Sequence, residues 1–141
     1  MLDLYAGTGA LGIEALSRGA PRAVFVERDG RALGALGRNL KELGLAERAT
    51  IVGTNVRTAL ARLEPEGFAW VFIDPPYATQ EAQRALASLA GSDLLAPGAV
   101  VIVEHDKRNQ PPESAGDLKL VNRRFYGDTG VSFYRRATGL V

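Results

Sequence analysis

The sequence predicts an α/β fold: an open, doubly wound sheet, mostly parallel, with helices on both faces and an antiparallel hairpin at the C-terminal end. Three observations predict it. Five short apolar runs alternate with helical stretches up to about residue 104, a glycine-rich turn joins the first run to the first helix, and two longer β-rich runs flanking Gly127-Asp128-Thr129-Gly130 end the chain.

Taken in order, residues 2–5, 23–26, 50–52, 70–73 and 99–103 are brief and apolar, as strands buried on both faces of a parallel sheet should be. Between them, residues 10–18, 31–43, 56–63 and 80–89 place apolar side chains at helical spacing, with Leu33, Leu36, Leu40 and Leu43 the clearest stripe. Gly19, Gly44 and Gly91 stand where helices should stop. From residue 105 to 117 the chain is polar and contains Pro111-Pro112, which predicts a loop; residues 118–126 and 131–136 then predict the hairpin. His105, the only histidine, is expected at the loop or sheet edge without a base role.

Composition narrows the chemistry. The 141 residues suffice for one core, and the absence of Cys excludes disulfide scaffolds, Cys-ligated metals and thiolate nucleophiles. One His makes a triad or a His-rich metal site a poor expectation, and the reading needs no metal. No apolar run approaches a membrane span and residues 1–3 lack the basic start of a signal peptide, so the expectation is a cytoplasmic monomer. The net charge of +1 conceals an asymmetry: residues 1–104 carry 10 basic and 12 acidic side chains, residues 105–136 carry 7 and 4. Phosphate-facing surface is therefore expected late in the chain, around Lys107, Arg108 and Arg123.

The stretch Asp3-Leu4-Tyr5-Ala6-Gly7-Thr8-Gly9-Ala10-Leu11-Gly12 ends the first strand and opens the first helix. Gly7 and Gly9 allow positive φ and close approach of backbone to a ligand, but this spacing alone fits a nicotinamide dinucleotide equally well. Two acids tilt the balance. Glu27, ending the second strand, can accept ribose hydroxyls, while Asp3 suits an ammonium group and would repel a pyrophosphate. A cationic, phosphate-free cofactor such as S-adenosylmethionine fits both, and Tyr5, the last residue of the first strand, is assigned to the same site. Asn55 is open to two roles, contact with an adenine amino edge or an N-cap for the helix from Val56.

Asp74-Pro75-Pro76-Tyr77 follows the fourth strand, and its two prolines fix φ at consecutive positions. The Asp74 carboxylate and the Pro75 carbonyl can accept both N–H bonds of an exocyclic amine, turning its lone pair toward an electrophilic methyl, while Tyr77 stacks on an extruded base. Asp74, Pro75, Pro76 and Tyr77 are therefore the candidate catalytic residues. Asp3, Tyr5, Gly7, Gly9, Glu27, Asn55 and again Asp74 are the candidate cofactor contacts.

On these residues the chain resembles class I S-adenosylmethionine-dependent methyltransferases of the amino-methylating group. The block DLYAGTGALGIEALSRG, with residues 71–77, 101–105 and 126–134, is similar to the RsmD-type enzymes that methylate guanine N2 in bacterial 16S ribosomal RNA. The resemblance implies a Rossmann-like methyltransferase fold, S-adenosylmethionine as cofactor, and 16S ribosomal RNA or the assembling small subunit as partner. It also implies an N-terminal segment with a basic hairpin and a helix. Met1 already lies inside the glycine-loop strand, so the expectation is a single domain over 1–141 lacking that extension. Two alternatives use the same residues: an adenine-N6 DNA methyltransferase, and a non-catalytic RNA-binding fragment.

Overall fold

The computed structural model describes residues 1–76 and 80–138. Tyr77 lies outside the described residues. The chain divides into two compact units, Met1–Arg62 and Leu63–Val141. The fold is mixed α/β, parallel in its first strands and antiparallel toward the C-terminus.

Unit one runs β1 (Leu2–Leu4), α1 (Ala10–Ser17), β2 (Ala23–Val26), α2 (Gly30–Glu42), a 3-10 turn (Ala46–Arg48), β3 (Ala49–Val52) and α3 (Val56–Arg62). Its strands are parallel in the order β3-β2-β1, with Leu2 beside Val24 and Phe25 beside Ile51. Every residue of β1 and β2 is buried, and Phe25 with Leu16, Leu36 and Leu40 forms the core; of the predicted stripe Leu36 and Leu40 reach it, whereas Leu33 is half-buried and Leu43, past the end of α2, is exposed. The sequence pattern did not disclose what closes the far side of this unit. Arg48, in the 3-10 turn, donates to the Leu16 carbonyl (2.8 Å), to the Ala20 carbonyl and to the Pro21 carbonyl (3.4 Å), meeting carbonyls left open where α1 ends.

Unit two runs β4 (Phe68–Ile73), α4 (Glu81–Leu89), β5 (Leu95–Asp106), β6 (Ser114–Ala115), β7 (Leu118–Tyr126) and β8 (Thr129–Arg136), with strand order β4-β5-β8-β7-β6. β4 and β5 are parallel; β5-β8, β8-β7 and β7-β6 are antiparallel. β5 is far longer than the expected five residues, because Leu95 pairs with Phe68 of β4 at its start and antiparallel pairing with β8 carries its end to Asp106 beside Thr129. The predicted loop over 105–117 is thus shortened at both ends, by β5 and by the two-residue β6. The hairpin turn is the pair Gly127-Asp128, with Gly127 at φ 62 as a mirror-image hairpin turn requires.

Burial alternates strictly along the second half of β5: Val101, Val103 and His105 are buried, while Ile102, Glu104 and Asp106 are only partly covered. Val71, Ile73, Leu86, Leu89, Leu118 and Tyr134 of this unit are buried as well. The other face is half open, with Trp70 50% exposed.

Candidate active site

The glycine turn is held by both acids that the sequence singled out. After β1, Tyr5 takes φ 61, Gly7 φ 60 and Gly9 φ 90, so three residues within five leave the usual backbone regions. A left-handed conformation costs a Tyr roughly 1 to 3 kcal/mol, strain of the sort that persists at ligand sites. The Glu27 carboxylate supports the turn: Oε1 accepts from the Gly7 amide (2.8 Å), and Oε2 accepts from the Arg28 (2.9 Å) and Asp29 (2.8 Å) amides. Asp3 is buried, and its Oδ2 accepts from the Gly12 amide at 3.1 Å, tying β1 to the first turn of α1.

These bonds bear on what Glu27 can offer a cofactor. A carboxylate has about four acceptor positions, and three of those on Glu27 already hold backbone amides. The remaining one, on Oε1, can take a single ribose hydroxyl while the turn keeps its shape. At Gly7 a Cβ would meet nothing within 4 Å, so there is open space against the turn for a ligand. Gly9 is different: a Cβ there would lie 2.3 Å from Leu36 Cδ1, so this glycine lets the turn pack onto α2. The two glycines do separate jobs, approach and packing.

Asn55 caps α3: its Oδ1 accepts from the Thr58 amide at 2.8 Å, while its carbonyl accepts from Ala59. The cap occupies the acceptor side of the amide and does not use its N–H donors.

In unit two, Ile73 is the last paired residue of β4, and Asp74 follows at the C-terminal edge of the strand. Asp74 keeps substantial solvent contact. Partial desolvation of its carboxyl, and then the negative charge of Glu104, push its pKa up to about 6. Glu104 is the residue that the sequence reading passed over. Its signal was present, since strict alternation along the fifth strand puts it on the face opposite Val103.

His105 is buried rather than at a loop or edge. Its Nδ1 lies 2.9 Å from the Asp106 carbonyl, which can only accept, so Nδ1 carries the proton and Nε2 accepts from the Ser132 hydroxyl at 2.7 Å. Burial, the largest influence, holds its pKa below the usual histidine value. Packing leaves no room for a change here, because a Cβ on Gly130 would sit 2.3 Å from His105 Cε1.

The expected basic rim is only partly realised. Arg123 is turned inward, its Nε donating to Ser132 Oγ (2.7 Å), Nη1 to Gln110 Oε1 (2.9 Å) and Nη2 to the Pro111 carbonyl (2.5 Å) and Tyr134 hydroxyl (3.4 Å). Four of its five N–H groups are directed at protein, so it clamps the segment after β5 instead of facing phosphate. Arg136 does likewise with Asp117 and the Ser92 and Leu95 carbonyls. Arg108 pairs with Asp106 at 3.1 Å but stays exposed, and Lys107 is exposed beside it, its amide bonded to the Asp128 carbonyl of the hairpin turn.

Among the described residues no helix is long and apolar enough to cross a membrane. A family model described as Conserved hypothetical protein 95 matches residues 1–135. YlbH of Bacillus subtilis is 39% identical over 137 residues, covering 96% of this chain and 74% of that protein. The Ribosomal RNA small subunit methyltransferase D of Escherichia coli K12 is 33% identical over 136 residues, 96% of this chain and 67% of that protein. A solved structure of a conserved hypothetical protein from Streptococcus pyogenes superimposes with a TM-score of 0.90 at 32% identity, covering 99% of this chain and 87% of the other. Matched over nearly all of its length in sequence and in structure, the chain belongs to the Conserved hypothetical protein 95 family, the family of the RsmD methyltransferases.

Proposed function

We propose that the chain is an S-adenosylmethionine-dependent methyltransferase that methylates the exocyclic N2 amino group of a guanine in small-subunit (16S) ribosomal RNA, with residues 1–141 working as one methyltransferase domain. The observation that carries the reading is the Asp74-Pro75 pair at the C-terminal edge of β4, a carboxylate and a carbonyl held by consecutive prolines, in a family whose Escherichia coli member is named as a ribosomal RNA methyltransferase. The cytoplasmic, monomeric protein expected from the sequence goes with this reading.

The cofactor is assigned to unit one. Open space at Gly7 and one acceptor position left on Glu27 suit the ribose of a nucleoside. S-adenosylmethionine, when bound, supplies a methyl group made electrophilic by its sulfonium.

The amine is assigned to unit two. Asp74 accepts one N–H of the amino group and the Pro75 carbonyl accepts the other, which localises the nitrogen lone pair for in-line attack. As the N–C bond forms and the methyl–sulfur bond breaks, leaving a neutral thioether, nitrogen becomes cationic and acidic. It gives its proton to Asp74, whose carboxyl, with a pKa of about 6, is a competent acceptor and readily passes the proton to water near neutral pH.

Transfer of tritiated methyl from S-adenosylmethionine, offered bare 16S RNA, assembled small subunits and duplex DNA, tests the reading. N2-methylguanosine in digests of the RNA is the expected product. Label in N6-methyladenine of DNA would replace it with the adenine alternative, and cofactor binding without transfer to any substrate would leave only the non-catalytic one.

A further inference from the structure

We propose that Glu104 selects the base: its carboxylate accepts the ring N1–H of guanine while Asp74 holds the neighbouring amino group, so that the pair admits guanine and rejects adenine. The inference rests on the reading that Asp74 receives an exocyclic amine.

β4 and β5 run parallel and in register through Ile73 beside Val103, so the next residue on each strand is Asp74 and Glu104. Neighbouring strands lie about 4.8 Å apart. Alternation puts Glu104 on the half-open face with Ile102, and Asp74 follows Phe72 on the matching face of β4. The charge of Glu104 acts on Asp74, which places the two carboxyls within electrostatic reach. Among the described residues Glu104 enters no ion pair, and no hydrogen bond occupies its carboxylate.

Carboxylates and a backbone carbonyl only accept. Guanine presents two adjacent donors, N1–H and the C2 amino group. The adenine amine is flanked by N1 and N7, and the cytosine amine has N3 beside it; these ring nitrogens are acceptors. A second carboxylate beside Asp74 therefore bonds guanine and faces a lone pair on adenine or cytosine. A site built around a hydrogen bond rejects analogues that lack the partner, because its polar group is left unpaired.

The deciding probe is 2-aminopurine, which keeps the C2 amino group but carries an unprotonated N1. Small-subunit RNA is prepared with guanine or 2-aminopurine at the position that tritium labelling identifies. The wild-type chain is expected to prefer guanine by about 10- to 100-fold in kcat/KM, the worth of one hydrogen bond to a charged group. Glu104→Gln, whose amide can donate to N1, is expected to narrow that preference to a few-fold. Equal use of both bases by the wild type, a measurement that needs no variant, would overturn the role of Glu104 while leaving guanine-N2 methylation standing. Label in adenine N6 would instead overturn the underlying reading, and this inference with it.

Discussion

Arg123 separates two accounts of the basic C-terminal region, because the same substitution tests both. Arg123→Ala removes donors to Ser132 Oγ, Gln110 Oε1, the Pro111 carbonyl and the Tyr134 hydroxyl. Gln110 is exposed and regains water on loss of its partner, and the 3.4 Å bond to Tyr134 is weak. The remaining two involve a charged donor and the buried Ser132 and Pro111, for which about 2 to 4 kcal/mol together is the expected loss. For a chain of this length that corresponds to a fall in Tm of roughly 6 to 15 °C. Urea unfolding gives the stability, and RNA affinity across a salt series gives the slope of log K against log salt. Each phosphate contact contributes about 0.7 to 0.9 to that slope. Arg123→Ala is expected to leave the slope unchanged, whereas Lys107→Ala with Arg108→Ala should flatten it by up to about 2 units if that exposed pair meets phosphate. A stability change under about 0.5 kcal/mol, together with a slope lower by nearly one unit, would refute the clamp and restore Arg123 to the RNA surface.

Further outcomes are expected at Asp74, at two glycines and at Glu27. Methyl transfer should gain an acid limb near pH 6, because Asp74 must be ionised to accept the amine, and Asp74→Asn should abolish transfer. The folded-state pKa of Asp74 lies above its unfolded value of 3.8, so its protonation favours the fold below that value and this contribution is lost as pH rises through about 6. Asp74→Asn should therefore raise Tm at pH 8 relative to the parent and lose that advantage near pH 4, and a variant no more stable at pH 8 would contradict the shift. Gly9→Ala combines φ 90 with a 2.3 Å approach to Leu36 and should cost about 2 to 4 kcal/mol, whereas Gly37→Ala, in the open on α2, should gain about 0.5 to 1 kcal/mol; denaturant midpoints that do not diverge would count against this assignment of the turn. Glu27→Gln sets an amide N–H against backbone donors and should weaken S-adenosylhomocysteine binding by about 1.5 to 3 kcal/mol, and unchanged calorimetric affinity would place the ribose elsewhere.

What the sequence determined by itself was local. The apolar runs of β1 and β2, the helices from Ala10 and Val56, and the stops at Gly19, Gly44 and Gly91 follow from side-chain periodicity and from which residues tolerate positive φ, and they stand within a residue of where the pattern put them, while β4 starts earlier than expected, at Phe68. The glycine turn with its two acids and the Asp-Pro-Pro motif were legible for the same reason, since short-range chemistry is written in contiguous residues. The tertiary structure decided what depends on partners distant in sequence. It extended β5 to Asp106 because β8 supplies backbone hydrogen bonds there, and it buried His105 against Ser132. It also drew Arg48, Arg123 and Arg136 inward, a choice invisible in a charge count because a guanidinium goes wherever several carbonyls converge. Glu104 joined Asp74 in the same way: 30 residues apart in sequence, they become neighbours when β4 and β5 pair in parallel register, and that register is set by packing across the sheet rather than by either strand alone.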